Sequence, residues 1–229
     1  MTMLSRFATL GGGGDPYWNS VSYLLVGNGA NGTTTNIKDS SSNNLTTTVS
    51  GSTVISTAQS KFNTGSSVYF PGASNYLTVT SSSVLALPGE FTVEMWVYFT
   101  AAANFSAFFA VLSGFQIGLN SLGYLATAQQ GVTIELSSTT AVPLNSWHYV
   151  AVTRNASNLV TLYLDTSSVA TGTYSTNYSA GTAYINYNSA LPTAGFTGYV
   201  YDLRVTKGVC RYTGSTITIP TAPFPTYGP

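Results

Sequence analysis

The strongest structural signal in this chain is a strict alternation of side-chain type over residues 90–99, EFTVEMWVYF. One side of this stretch is apolar and consists of Phe91, Val93, Met95, Val97 and Phe99. The other side consists of Thr92, Glu94, Trp96 and Tyr98. Because successive side chains of a β-strand point to opposite faces, this period of two predicts a strand whose apolar face lies in the core.

Similar short segments continue along the chain and are separated by clusters of Gly, Pro, Asn and Ser. We predict further strands at 21–26, 44–49, 52–56, 66–70, 76–80, 108–113, 115–120, 124–129, 132–138, 148–154, 159–165, 167–174, 182–188 and 196–206. The sequence RNASNL at 154–159 predicts a hairpin, and a single helical turn is predicted at 81–87. Many short strands without long helices predict an all-β fold built as an antiparallel two-sheet sandwich.

Charge is scarce, and this scarcity excludes several classes of partner. Charged residues make up 6% of the 229 residues, against roughly 25% in average soluble domains. Seven basic residues balance seven acidic ones, so no basic surface is available for nucleic acid or for anionic lipid. No segment approaches the roughly 20 apolar residues of a membrane span, and the first residues lack the pattern of a secretion signal. We expect neither nucleic acid nor membrane as a partner.

The first 18 residues differ from the rest of the chain. Four consecutive glycines at 11–14 separate a short apolar piece from the strands, and such a run holds no single conformation by itself. We predict an extended N-terminal arm with a Gly-rich joint at 1–18, followed by one sandwich domain at 19–229 with a Pro-rich C-terminal end. The residues predicted to attach this arm to an assembly are Leu4, Phe7, Leu10, Tyr17 and Trp18.

Two segments together resemble a known family. The strand EFTVEMWVYF and the later segment SWHYVAVTRNASNLVTLYLD are similar to the laminin G-like, concanavalin A-like jelly-roll family over about residues 20–206. The C-terminal segment GYVYDLRVTKGVCRYTGSTITIPTAPFP resembles, more narrowly, the form of this domain in structural proteins of tailed bacteriophages. The resemblance implies a jelly-roll sandwich. One departure is Asp165-Thr166, where the family has an Asp-Gly turn.

His148, the only histidine, is the natural candidate for a catalytic base. Asp165, at the far end of the paired strand, is a potential partner, but no G-x-S-x-G nucleophile segment accompanies them. We therefore interpret His148 as structural, bonded to backbone or to a carboxylate. Trp96 and Trp147 are likewise assigned structural roles in central strands.

The superfamily that the sequence resembles also includes glycoside hydrolases, which act through a pair of carboxyl groups at a fixed separation. The nearest carboxylate pair, Glu90 and Glu94, would be about 13 Å apart on an extended strand. Hydrolases need about 5–9.5 Å between their two carboxyl groups. The remaining acidic residues are scattered, and Cys210 is the only cysteine, so we predict no catalytic residue, no metal ligand and no cofactor.

These observations lead to two functional hypotheses. The first is a non-enzymatic virion structural protein, a capsid decoration or a head or tail appendage, that contacts other virion proteins and occurs in several copies on the particle. The alternative is a carbohydrate-binding module of a phage fibre that adheres to host surface glycans. Sixteen tyrosines favour the alternative chemically, although tyrosines also serve simply to cover a charge-poor sandwich.

Overall fold

The protein was studied as a computed structural model that describes residues 13–62 and 65–229. Its described strands are β1 Val21–Leu25, β2 Thr47–Ser50, β3 Val54–Ser56, β4 Ser67–Pro71, β5 Tyr76–Val79, β6 Phe91–Ala102, β7 Ala107–Val111, β8 Phe115–Leu119, β9 Tyr124–Gln129, β10 Thr133–Ala141, β11 Trp147–Arg154, β12 Leu159–Leu164, β13 Ser167–Thr173, β14 Ala183–Ile185 and β15 Phe196–Lys207. Two 3-10 turns, Trp18–Ser20 and Ser83–Leu85, are also present. The all-β prediction is confirmed.

The strands form two antiparallel sheets. The eight-stranded sheet has the order β13-β12-β11-β6-β15-β4-β3, and β1 pairs with the second half of β15. The seven-stranded sheet has the order β10-β9-β8-β7-β14-β5-β2. Sequence-distant strands therefore lie side by side, as β6 does between β11 and β15. This arrangement is the predicted two-sheet jelly-roll sandwich.

Most predicted strands occur within a few residues of their expected bounds, and the differences have a local cause. The strand predicted at 182–188 ends after Ile185 because Asn186 has a φ of 62°, outside the extended region. The strand predicted at 44–49 begins only at Thr47, after Asn44 with a φ of 46°. The hairpin at 154–159 is confirmed, with Arg154 paired to Val160.

The apolar side of β6 faces the space between the sheets, as its alternation predicted. Phe91, Val93, Met95, Val97 and Phe99 are all buried in the central core. The opposite side is also largely buried, because a second cluster covers part of the outer face of the eight-stranded sheet. The C-terminal residues 208–229 and the segment around Trp18 contribute to this cover. How far the cover extends decides which outer-face side chains remain accessible.

Candidate functional site

Four aromatic side chains stand in register across four neighbouring strands on the outer face of the eight-stranded sheet. Trp147 of β11 lies opposite Tyr98 of β6, and Tyr98 lies opposite Tyr199 of β15. Tyr199 in turn lies opposite Tyr69 of β4. The ring centroids are 5.7, 5.8 and 4.9 Å apart in that order. All four side chains are partly exposed, and we call them the aromatic row.

A second row of aromatic residues lies beside the first and is covered. Trp96 of β6 pairs with Tyr149 on one side and with Tyr201 on the other, and all three are buried. Phe224 and Tyr212 of the C-terminal segment pack into the same cluster. The Phe62 ring, 5.6 Å from Trp96 and 5.8 Å from Tyr201, completes the cover together with the C-terminal segment. The second row is therefore buried, whereas the first row stays partly exposed.

Buried charged residues hold this cover in place. Arg204 of β15 lies 2.7 Å from Glu94 and 2.9 Å from Asp15, and Arg211 lies 2.8 Å from Asp15. Tyr212 donates its hydroxyl hydrogen to Glu94 at 2.6 Å. We call Asp15, Glu94, Arg204 and Arg211 the clasp. It joins the N-terminal and C-terminal segments to the middle of the sheet.

The electrostatics of the clasp follow from burial and pairing. Burial alone would raise the pKa of Glu94, but Arg204 and Arg211 outweigh that effect and hold the pKa below its ordinary value. The pKa of Asp15 is lowered as well, because its bonds to the same two arginines outweigh the effect of burial. Both carboxylates therefore stay ionised inside the protein. Removing one partner would leave an uncompensated buried charge, which typically costs about 3–5 kcal/mol.

The described part of the predicted arm lies against the sandwich. The Asp15 N–H donates to the Tyr227 carbonyl at 2.9 Å, and the Arg211 guanidinium lies 5.1 Å from the centre of the Tyr17 ring. Trp18 packs against the outer-face cluster. The three other predicted arm contacts, Leu4, Phe7 and Leu10, lie outside the described residues. Their role in attachment stays a prediction.

A separate group of tyrosines lies on the outer face of the seven-stranded sheet. The ring centroids of Tyr76 and Tyr187 are 4.5 Å apart, and those of Tyr184 and Tyr187 are 5.1 Å apart. All three side chains are partly exposed. Their rings pack chiefly against one another, with only 31° between the planes of Tyr76 and Tyr187. This group is a matched control for the aromatic row, because its tyrosines are also partly exposed but lie on the other sheet.

His148 connects the start of β11 to the turn after β12. Its Nδ1 lies 2.9 Å from Asp165 Oδ2, and its Nε2 lies 2.7 Å from Ser146 Oγ. The other oxygen of Asp165 accepts a hydrogen bond from the Tyr149 N–H at 3.0 Å. Asp165 has a φ of 53°, so the turn that departs from the family pattern still adopts a left-handed conformation.

This chain of hydrogen bonds has the connectivity of a serine hydrolase triad, but its setting differs from an active site. A triad acts with an enclosed substrate pocket and preorganised donors for the oxyanion. Ser146 lies in an exposed turn, and neither of the two described surface depressions includes it. One depression is lined by residues such as Asn43 and Lys207, and the other by residues such as Phe105 and Leu191. His148 is bonded to a carboxylate, and its structural role stays a prediction.

The carboxylates considered for hydrolysis or metal binding are dispersed or occupied. Glu94 is fully buried in the clasp, where it accepts hydrogen bonds from Arg204 and Tyr212. Within residues 13–62 and 65–229, no three His, Cys, Asp or Glu side chains are grouped to hold a metal ion. The same part of the chain contains no helix long and apolar enough to cross a membrane.

The two packed antiparallel sheets define a jelly-roll β-sandwich protein. A laminin G family model described as the concanavalin A-like lectin/glucanases superfamily matches residues 71–211. The chain belongs to this superfamily. The match contains β6, β11 and β15, the three central strands that carry most of the aromatic row. No curated protein matches the chain in sequence.

Solved structures share the fold at low sequence identity. The binding domain of Paraclostridial Mosquitocidal Protein 1 is 13% identical with a TM-score of 0.63, and the match covers 85% of this chain and 51% of that one. The botulinum neurotoxin serotype D/C VPI 5993 binding domain is 17% identical with a TM-score of 0.62, covering 85% and 50%. This chain spans about half the length of those binding domains. At these identities the similarity shows the fold alone.

Proposed function

We propose that this protein is a non-enzymatic binding module whose aromatic row contacts carbohydrate. The observation that carries this proposal is the open row of Trp147, Tyr98, Tyr199 and Tyr69 beside a covered one. Exposed apolar patches on soluble proteins often mark ligand-binding or interaction sites. Because the neighbouring aromatic residues Trp96, Tyr149 and Tyr201 are buried, the partly exposed row is the aromatic part of this face available to a ligand.

The chemistry of the row suits sugars. Aromatic rings provide flat apolar surfaces, and tyrosine adds a hydroxyl group at the ring edge, so the three tyrosines can offer both kinds of contact at low cost in conformational entropy. Trp147, whose indole nitrogen is buried, contributes apolar surface. A sugar ring presents apolar C–H groups and hydroxyl groups in the same way. The protein surface around the row is poor in charge, as the overall composition requires.

Proteins of similar fold support a binding role. Cell entry of botulinum neurotoxin type C depends on interaction with two ganglioside molecules, and the binding domain of botulinum neurotoxin DC has been solved in complex with SialylT. The same DC binding domain has also been solved in complex with rat synaptotagmin II. Because this chain spans about half of each protein, those ligands support a binding role here without specifying its ligand.

A glycan array with fluorescently labelled protein tests the proposal. We expect the wild-type protein to bind a defined set of glycans, Tyr199→Ala to lose this binding, and Tyr184→Ala to keep it. Tyr184 is the matched control because it is also a partly exposed tyrosine, but on the outer face of the other sheet. Circular dichroism and a thermal melt establish that both variants are folded. Equal binding by the two variants would contradict the assignment to the row.

The second candidate function is a structural protein of a tailed-phage virion, located on the particle and present in several copies. Its support is the resemblance of the C-terminal segment together with the place of that segment in the structure. The phage-like segment contains both arginines of the clasp, Arg204 and Arg211, and each of them forms an ion pair with Asp15. The same segment contains Tyr212, which donates a hydrogen bond to Glu94 of the clasp. Residues 1–14 therefore precede a firmly anchored point of the sandwich.

Addition of truncated protein to particles that lack it tests this second function. We expect deletion of residues 1–14 to leave the sandwich folded, because Asp15 and the clasp are retained. The truncated protein should no longer join the particle. Incorporation equal to that of the full chain would show that the arm does not make the attachment.

A further inference from the structure

We infer that the aromatic row binds an extended, uncharged and unbranched glycan chain that lies across the strands, rather than a single terminal sugar. This inference rests on the proposed carbohydrate function and specifies its ligand. Three properties of the row support it: its direction, its ring orientations and its lack of charge.

The direction of the row follows from strand register. Trp147, Tyr98, Tyr199 and Tyr69 occupy directly opposed positions on four adjacent strands, so the row runs perpendicular to them. Neighbouring strands are about 4.8 Å apart, and the observed ring separations of 4.9 to 5.8 Å follow this spacing. One step along the row is close to the length of one linked sugar ring. A linear chain can therefore meet successive aromatic side chains with successive sugars.

The ring planes vary along the row in a way that offers two kinds of contact. Tyr98 makes edge-on packing with both neighbours, at 63° to Trp147 and 80° to Tyr199. Tyr199 and Tyr69 are more nearly parallel, at 35°. The row therefore combines edge-on and more nearly parallel ring packing. A ligand with repeated C–H groups and repeated hydroxyl groups can contact the exposed parts of these rings along the whole row.

The charge around the row favours an uncharged ligand. The row consists of one tryptophan and three tyrosines, so it contains no acidic or basic side chain. Next to the row, Thr100 donates its hydroxyl hydrogen to the Thr197 carbonyl at 3.2 Å. Lys61 on the same face is engaged over the Trp96 ring, 3.8 Å from its centre. An acidic sugar would find no charged partner among the four side chains of the row themselves.

The test is calorimetric titration of the intact protein with neutral oligosaccharides of one to six units, in β-linked glucose, α-linked glucose and N-acetylglucosamine series. We expect affinity in one series to rise about two- to tenfold for each added unit, up to about four units, and then to level off. A sialylated oligosaccharide of equal length should bind more weakly. This length series uses the wild-type protein and so does not depend on how any variant folds.

Variants at the end and centre of the row sharpen the test. Tyr69→Ala, at one end, should lower the affinity for four units and leave that for two units within twofold. Tyr98→Ala, at the centre, should lower both, and Tyr184→Ala should change neither. Glycan binding that is independent of chain length, or stronger for the sialylated sugar, would overturn the inference and keep the proposed function. Absence of binding to any neutral or sialylated glycan would overturn both.

Discussion

Asp202 gives the sharpest prediction about stability. It lies in the irregular part of β15 between Tyr201 and Arg204, is fully buried, and has a φ of 51°. Its Oδ2 accepts a hydrogen bond from the Phe224 N–H at 2.8 Å, whereas no described residue bonds to Oδ1. Burial raises the pKa of this carboxyl to about 8, against the weaker opposing effects of the Phe224 bond and of Arg204.

The sign of the pH dependence follows directly. Because the folded protein holds the proton more tightly than the unfolded chain, the contribution of Asp202 to stability is fully present below pH 3.8. It is lost progressively as the pH rises to about 8. The slope is about 1.4 kcal/mol per pH unit for one proton. Asp202→Asn removes this titration, keeps an acceptor for the Phe224 N–H, and tolerates the positive φ.

Between pH 5 and pH 7, we therefore expect the free energy of unfolding of the wild type to fall by about 2–3 kcal/mol relative to that of Asp202→Asn. For a chain of this size the difference in melting temperature should widen by roughly 5–10 °C over the same interval. The assay is a set of urea and thermal unfolding curves for both proteins at half-unit steps of pH. Asp15 and Glu94 have lowered pKa values, so both carboxylates stay ionised between pH 5 and pH 7 and do not titrate in this interval.

Asp39→Asn is the matched control, because Asp39 is also a buried aspartate but is fully bonded. Its carboxylate accepts hydrogen bonds from the Leu24, Ser41 and Leu45 N–H groups and from the Ser41 hydroxyl. An amide would place its own hydrogens against some of these donors. We expect Asp39→Asn to destabilise the protein by about 1–3 kcal/mol. Parallel curves for wild type and Asp202→Asn between pH 5 and 7 would refute the reasoning about Asp202.

Other predictions concern packing, His148 and the clasp. Trp96→Ala should lower the free energy of unfolding in urea by about 3–5 kcal/mol, because this side chain is buried. Trp147→Ala should lower it by less, because Trp147 is partly exposed. A larger loss for Trp147→Ala would contradict the assignment of Trp96 to the covered row. His148→Gln should lower the melting temperature only modestly, and loss of any detected hydrolytic activity in this variant would contradict its structural role. Asp15→Ala should cost about 3–5 kcal/mol, whereas deletion of residues 1–14 should leave the melt nearly unchanged.

The sequence by itself determined the all-β fold class and most strand positions. This was possible because the alternation at 90–99 and the turn residues around 154–159 act locally, through side-chain direction and backbone conformation. The sequence also brought His148 and Asp165 together as a potential pair, because both belong to one hairpin whose register follows from its short turn.

Only the tertiary structure decided which outer-face residues are open. Trp96 and Tyr98 are two residues apart on the same side of β6, and nothing local distinguishes them, yet one is buried and the other is partly exposed. Trp96 belongs to the outer-face cluster, which also contains Phe224 of the distant C-terminal segment, and the Phe62 ring lies 5.6 Å from the Trp96 ring, whereas Tyr98 is not part of that cluster. The clasp likewise joins Asp15 to Arg204, 189 positions apart. Such contacts depend on the order of strands in the sheet, and the periodicity within one strand carries no information about that order.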